Sequence, residues 1–208
     1  MLRFIVVLVC SLLCTAPAAA AGLFGSQEIK GSTLAAFTKW TDMLDRYQWE
    51  ENRTGRKLPC RLSASFKCRD DEWRNLLTAL KTLARSEKIN RINGFLNQAP
   101  YITDNANYGM ADYWATVYEF LRKDGDCEDY AIAKYFSLKA LGFDPARMRV
   151  VVVEDLNLKT PHAVLALYLD GQTLILDNQL PAPVRAESIV HYRPIYSINE
   201  TAWWLHRL

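Results

Sequence analysis

Little in this sequence points to nucleic acid, to zinc or to a bilayer. Lys and Arg number 25 against 23 Asp and Glu, a formal charge of +2 spread over 208 residues. With the signs interspersed, no basic face is available to neutralise phosphates. Histidines number only 3, and no Cys/His pair has the close spacing of zinc ligands. No internal repeat, low-complexity tract or Gly/Ser-rich linker divides the chain. Its most apolar run, Phe4 to Leu13, falls well short of the ~20 residues that span a bilayer.

What that run does resemble is a targeting segment. Arg3 gives a positive start, Phe4 to Leu13 an apolar core, and Ala18 to Ala21 small residues for cleavage. The expectation is therefore a signal peptide over 1–21 and a single exported domain over 22–208. Half of the residues are hydrophobic and 12% aromatic, enough for a substantial core. Cys10 and Cys14 fall in the leader, leaving Cys60, Cys68 and Cys127. A small disulfide loop between Cys60 and Cys68 is one reading and three reduced thiols the other, since connectivity does not follow from sequence. Under the first, Cys127 is a leftover thiol in an oxidising compartment.

Taken in order, the chain reads as helices and then strands. Leu34, Phe37, Trp40, Leu44 and Tyr47 line one side of a helix running to about Glu50. Residues 52–66 look like a loop, with Gly55 and Pro59 as breakers. A second helix starts near Asp70 and Asp71, and Ser86 caps a third that stops before Pro100. Tyr101 to Gly109 is polar and turn-rich, and a fourth helix is expected over about 111–123. After Gly142 the pattern changes. Arg149 to Val153 is β-branched and reads as a buried strand. His162–Leu169, the turn Asp170-Gly171, and Gln172–Asp177 form a hairpin of the preferred two-residue kind. A last strand covers Tyr192 to Ile198, with Pro194 hinting at an edge. The fold class is α+β, N-terminal helices followed by an antiparallel sheet.

Between the two halves lies Asp124-Gly-Asp-Cys-Glu-Asp-Tyr130. Asp126 is placed to cap a helix running to Gly142, which puts Cys127 at its first position. Oriented N–H groups and the positive end of the helix dipole favour a thiolate there. Asp124, Asp126, Glu128 and Asp129 oppose it, because nearby negative charge raises a thiol pKa. The hairpin supplies the second half of a possible site. With a two-residue turn, His162 sits opposite Gln179, and Asp177 lies two residues back on the same face. Such a diagonal spans roughly 7–8 Å, within reach of an imidazole and a carboxylate. Cys, His and Asp together would provide a nucleophile, a base and a group that fixes the imidazole tautomer. Each also has a plainer role: a small buried thiol, a satisfied core histidine, a turn aspartate.

The stretch Gly125-Asp-Cys-Glu-Asp-Tyr-Ala-Ile-Ala-Lys-Tyr-Phe-Ser-Leu138 resembles the nucleophile motif of the bacterial transglutaminase-like cysteine proteinases, of the LapG type. His162-Ala-Val-Leu and Leu176-Asp-Asn178 look like that family's histidine and aspartate motifs. Tyr113-Trp114, Ser197-Ile-Asn-Glu200 and Trp203-Trp204 add to the likeness. The resemblance implies a papain-like or transglutaminase-like core with Cys127 as nucleophile, His162 as base and Asp177 as its orienting acid. It further implies a periplasmic endopeptidase that clips the N-terminal region of a large biofilm adhesin. A membrane receptor for cyclic di-GMP would hold it through the receptor's periplasmic domain. Calcium beside the cysteine is also implied. Hard carboxylate oxygens suit Ca²⁺, with Asp126 and Glu128 the leading ligands and Asp129 and Asp124 behind them; plain helix capping is the competing role for these acids. A transglutaminase-type acyl transferase and a non-catalytic receptor-binding module are the alternative functions.

Overall fold

The structure is a computed structural model that describes residues 22–54 and 69–208. The signal peptide expected over 1–21, most of the loop expected over 52–66, and Cys60 and Cys68 lie outside those residues. Cys127 is a free thiol. Among the described residues no helix is long and apolar enough to cross a membrane.

One antiparallel sheet carries the C-terminal half. Its strands are β1 (Gln27–Gly31), β2 (Met148–Asp155), β3 (Thr160–Leu169), β4 (Gln172–Leu176), β5 (Val184–Arg185), β6 (Tyr192–Ile198) and β7 (Trp203–Arg207). They lie in the order β1-β7-β6-β2-β3-β4-β5. The helices are α1 (Thr38–Thr54), α2 (Asp70–Leu80), α3 (Arg85–Leu96), α4 (Asp104–Tyr108), α5 (Val117–Lys123) and α6 (Cys127–Ala140). Strand alternation sorts the buried residues into two layers. Val150, Leu165, Leu167 and Ile198 join the helices in the larger core, while Val151, Val153, Val164 and Ala166 meet Leu23, Ile189 and Tyr192 on the other face.

Helix α6 is the pillar of this arrangement. Every residue from Asp129 to Leu138 is buried, and the helix packs on β2, β3, α3 and α5. Burying a large apolar side chain contributes about 1.5–3 kcal/mol, and α6 buries Ile132, Tyr135, Phe136 and Leu138 completely. A helix anchored on all sides fixes the position of its first residue, which is Cys127.

Four local expectations are corrected. Ser86 does not cap the third helix: α3 starts at Arg85, with Ala84 at the cap position and Ser86 inside the first turn. Residues 111–116 are not helical; α5 begins at Val117, behind a capping box in which Thr116 Oγ1 accepts from Glu119 N and Glu119 accepts from Thr116 N. The Tyr113 N–H is taken by Asp104 and the Ala115 N–H by Asp129 at 2.7 Å, so those donors are spent on carboxylates rather than on a helical ladder. The first helix begins later than its apolar pattern, because Leu34 to Ala36 form a 3-10 turn and α1 starts at Thr38. Pro194 does not mark an edge. Strand β6 lies inside the sheet, and its register against β2 shifts between Val152↔Tyr196 and Val153↔Pro194. The bulge at Ile195 accommodates a residue that cannot donate to a ladder.

Candidate active site

The site forms where α6 begins and β4 ends. Gly125 makes the approach to α6 possible: a Cβ there would lie 2.7 Å from Asp129 Cβ, closer than any side chain tolerates. Asp126 N donates to Asp129 Oδ2 at 3.3 Å and Tyr130 N to the Asp126 carbonyl at 3.2 Å, which closes the first turn. The half-buried Cys127 thiol donates to Glu128 Oε2 at 3.1 Å. On the sheet side the Ala163 N–H is a hydrogen-bond donor to the same sulfur. Burial first, then the Glu128 and Asp126 charges, push the thiol far above its usual range, against the Ala163 N–H.

The hairpin has the expected register, Leu169↔Gln172 through Leu165↔Leu176. Beyond the end of β4, His162 Nε2 and Asp177 Oδ1 are 2.9 Å apart and both residues are buried. Asp177 also accepts from Tyr192 Oη at 2.6 Å and from Gln179 N at 2.9 Å. Burial alone would raise its pKa; the His162 bond and charge, with the Tyr192 and Gln179 donors, outweigh that and hold the carboxyl below its ordinary range. An ionised Asp177 keeps the proton of His162 on Nε2 and leaves Nδ1 as the basic nitrogen. The segment after Asp177 is tied to α3 through Asn97, whose Nδ2 donates to the Asp177 and Leu180 carbonyls at 2.9 and 3.0 Å.

Acidic residues collect on the other side of Cys127. Carboxylate oxygens of Asp104, Asp126 and Asp129 lie within 4.8 Å of one another, as do those of Asp104, Asp112 and Glu128. Asp104 belongs to both groups, and neither it nor Asp112 was foreseen from the sequence. Asp104 falls in a polar stretch without periodicity and Asp112 at the start of the helix expected from 111, and only the fold brings them to α6. Asp124 joins neither group; it ends α5 at φ 60° with its N–H on the Phe120 carbonyl. Among the described residues, one buried oxygen each of Asp104 and Asp126 has no hydrogen-bond partner. Burial, with neighbouring carboxylates behind it, pushes Asp104 up to about 6, Glu128 up to about 8, and Asp126 and Asp129 upward as well.

Tyr101 is a further neighbour that periodicity could not reveal. It forms a bridge with Gly125, and its hydroxyl is a hydrogen-bond partner of the Cys127 thiol. More than half of the residue is exposed, so a bound polypeptide would meet it beside the sulfur.

Three solved structures of Legionella pneumophila LapG resemble this chain. One is 35% identical over 64% of this chain and 76% of LapG, with a TM-score of 0.59. The calcium-bound form is 30% identical over 78% and 87%, with a TM-score of 0.62. The EGTA-treated form is 34% identical over 66% and 75%, with a TM-score of 0.60. Comparison with curated protein sequences finds no match. The family model described as bacterial transglutaminase-like cysteine proteinase matches residues 60–205, a span holding Cys127, His162 and Asp177, and to that family of cysteine proteases this chain belongs.

Proposed function

We propose that this protein is a calcium-dependent periplasmic endopeptidase that cuts the N-terminal region of a large cell-surface adhesin. In this reading the periplasmic domain of an inner-membrane cyclic di-GMP receptor restrains it. The observation that carries the chemistry is the 2.9 Å contact between His162 and Asp177, one residue from the N–H that faces the Cys127 sulfur. His162 Nδ1 takes the thiol proton and the sulfur attacks the scissile carbonyl carbon. N–H groups of the first turn of α6 face the oxyanion that forms. The C–N bond then breaks as Nδ1–H protonates the departing amine, and a water molecule hydrolyses the thioester by the same base. The LapG resemblance supports the adhesin substrate and the receptor.

The acidic corner suits a calcium ion by its chemistry. It offers only hard oxygen donors, and oxygens on one Ca²⁺ shell of 2.3–2.6 Å bonds lie no more than about 5 Å apart. The unpartnered oxygens of Asp104 and Asp126 are the natural first ligands, with Glu128 and Asp112 within reach. Asp129 braces the loop through Ala115 N and Asp126 N while keeping lone pairs to spare. A bound divalent cation supplies positive charge that offsets the carboxylates raising the Cys127 thiol.

Incubating the protein with the N-terminal part of a large adhesin, in calcium, tests the reading. The expected product is a shorter adhesin with a new free carboxyl terminus. An amine-dependent crosslink would identify an acyl transferase, and a substrate left intact would remove the adhesin from consideration.

A further inference from the structure

Two turns into the core from Cys127, α6 carries a lysine that the reaction above does not use. Lys134 is fully buried, and among the described residues its Nζ has no hydrogen-bond partner. It follows Cys127 by seven residues, which places it on the same stripe of the helix about 10 Å deeper. Helical side chains lean toward the N-terminus, and Nζ lies 6.0 Å from the ring of Tyr130, one turn back toward Cys127. Helix α3 runs antiparallel to α6: Ala99 accepts from Tyr130 Oη, while Arg85 and Lys88 line one cavity with Leu141 and Phe143. That direction brings the buried, unpartnered Asn93 level with Lys134 and sets Asn97 on the segment after Asp177. Asp177 is the charged group that acts on Lys134.

We propose that Lys134 is a positioning residue of the site, a buried cation that shares the charge of Asp177 and so limits how tightly Asp177 holds a protonated His162. The proposal rests on the Cys127–His162–Asp177 reading and adds a fourth member to it. The reaction needs an imidazole that accepts the thiol proton and then gives it to the departing amine. An ionised carboxylate 2.9 Å from Nε2, buried and unopposed, would make the imidazolium too stable to give that proton up. A second cation facing the same carboxylate weakens the hold without removing the hydrogen bond. Burial pulls the Lys134 ammonium down and the Asp177 charge acts against that pull, which leaves it at about 7. Stability gives no reason for such a residue. An ammonium in the core without hydrogen bonds costs several kcal/mol of desolvation, and an apolar side chain of similar length serves packing as well or better.

The test compares wild type with Lys134→Met, Lys134→Gln and Lys134→Arg in calcium-containing buffer, following the ring signals of the three histidines by NMR against pH. Both neutral variants should raise the His162 midpoint by about half to one pH unit and leave His191 and His206 where they are. Lys134→Arg should return His162 toward the wild-type value. Lys134→Met should unfold at the wild-type temperature or higher. No cleavage assay enters, so the outcome is separate from whether an adhesin is the substrate. An unmoved His162 in both neutral variants overturns the proposal; so does a drop in unfolding temperature in both without that movement, which would make Lys134 a packing residue.

Discussion

Asp177, buried, and Asp126, half-buried, are carboxylates of the same site, yet their surroundings are opposite. Asp177 accepts from an imidazole, a phenol and a backbone N–H, and its pKa falls. Asp126 faces Asp104, Glu128 and Asp112, keeps one buried oxygen without a partner among the described residues, and its pKa rises. The chain completes the base half of the site with its own donors. The nucleophile half gathers carboxylates against one another, and in the reading proposed above a calcium ion offsets them. One half is structure; the other is a condition.

The largest effect falls on the group that both halves serve. Cys127→Ala should abolish cleavage, a loss of at least about 10³-fold, with thermal unfolding unchanged because the thiol anchors no core. Wild-type turnover in that variant would remove the nucleophile assignment. Next comes the condition itself. A calcium-selective chelator should lower turnover by about 100-fold or more, with recovery on added Ca²⁺ and little on Mg²⁺, whose smaller octahedral shell fits these carboxylates poorly. Asp104→Ala should reproduce the chelated state by losing calcium affinity in a calorimetric titration. In both cases the His162 ring signals should stay put, and full activity in calcium-free protein would erase the contrast between the halves.

On the completed half, Asp177→Asn should keep the fold and cost roughly 10²–10⁴-fold in turnover, since an amide neither fixes the imidazole tautomer nor balances imidazolium. Equal turnover in aspartate and asparagine forms would show that tautomer control lies elsewhere. The smallest effect expected is that of Tyr192→Phe, which removes one 2.6 Å donor from Asp177 and should lower turnover about threefold to tenfold. Stability reports on the same carboxyl. Its folded pKa lies below the ordinary value near 3.8, so its contribution is full above about pH 4 and is lost as pH falls through the folded value. The unfolding-temperature gap between wild type and Asp177→Asn should therefore close in acid; a gap that widens there would contradict a depressed carboxyl.

The completed half was also the legible one. A two-residue turn sets the register of the ladder from Leu169↔Gln172 to Leu165↔Leu176, and the same count puts His162 and Asp177 on one face just beyond it. The start of α6 was legible for a similar reason, because Asp126, Gly142 and the apolar spacing between them are local signals. The acidic corner was legible only in part. Asp126, Glu128 and Asp129 stand next to Cys127 in sequence, whereas Asp104 and Asp112 arrive from a stretch whose backbone donors are claimed by distant carboxylates. That claim is also why a helix expected from 111 begins at Val117. Strands β1 and β7 escaped notice because β1 alternates poorly, with only Glu28 and Gly31 half-buried, and β7 has five residues. β7 bridges β6 and β1, and β1 meets it from about 170 residues away in sequence.

That partnership bears on the order in which the molecule comes together. Gln27 pairs with Arg207 and Gly31 with Trp203, and Ser26 Oγ meets His206 Nδ1 at 2.8 Å. Synthesis runs from the N-terminus, so β1 exists long before anything can zip onto it, while residues 127–177 meet across short separations. Long-range pairing must bear its loop-closure entropy before any contact repays it. The centre is therefore expected to assemble before the rim, and until β7 is made the β1 backbone is an open edge available to other chains. A truncation that removes β7 leaves the chemistry's residues in the polypeptide but frees that edge, making aggregation the failure to look for.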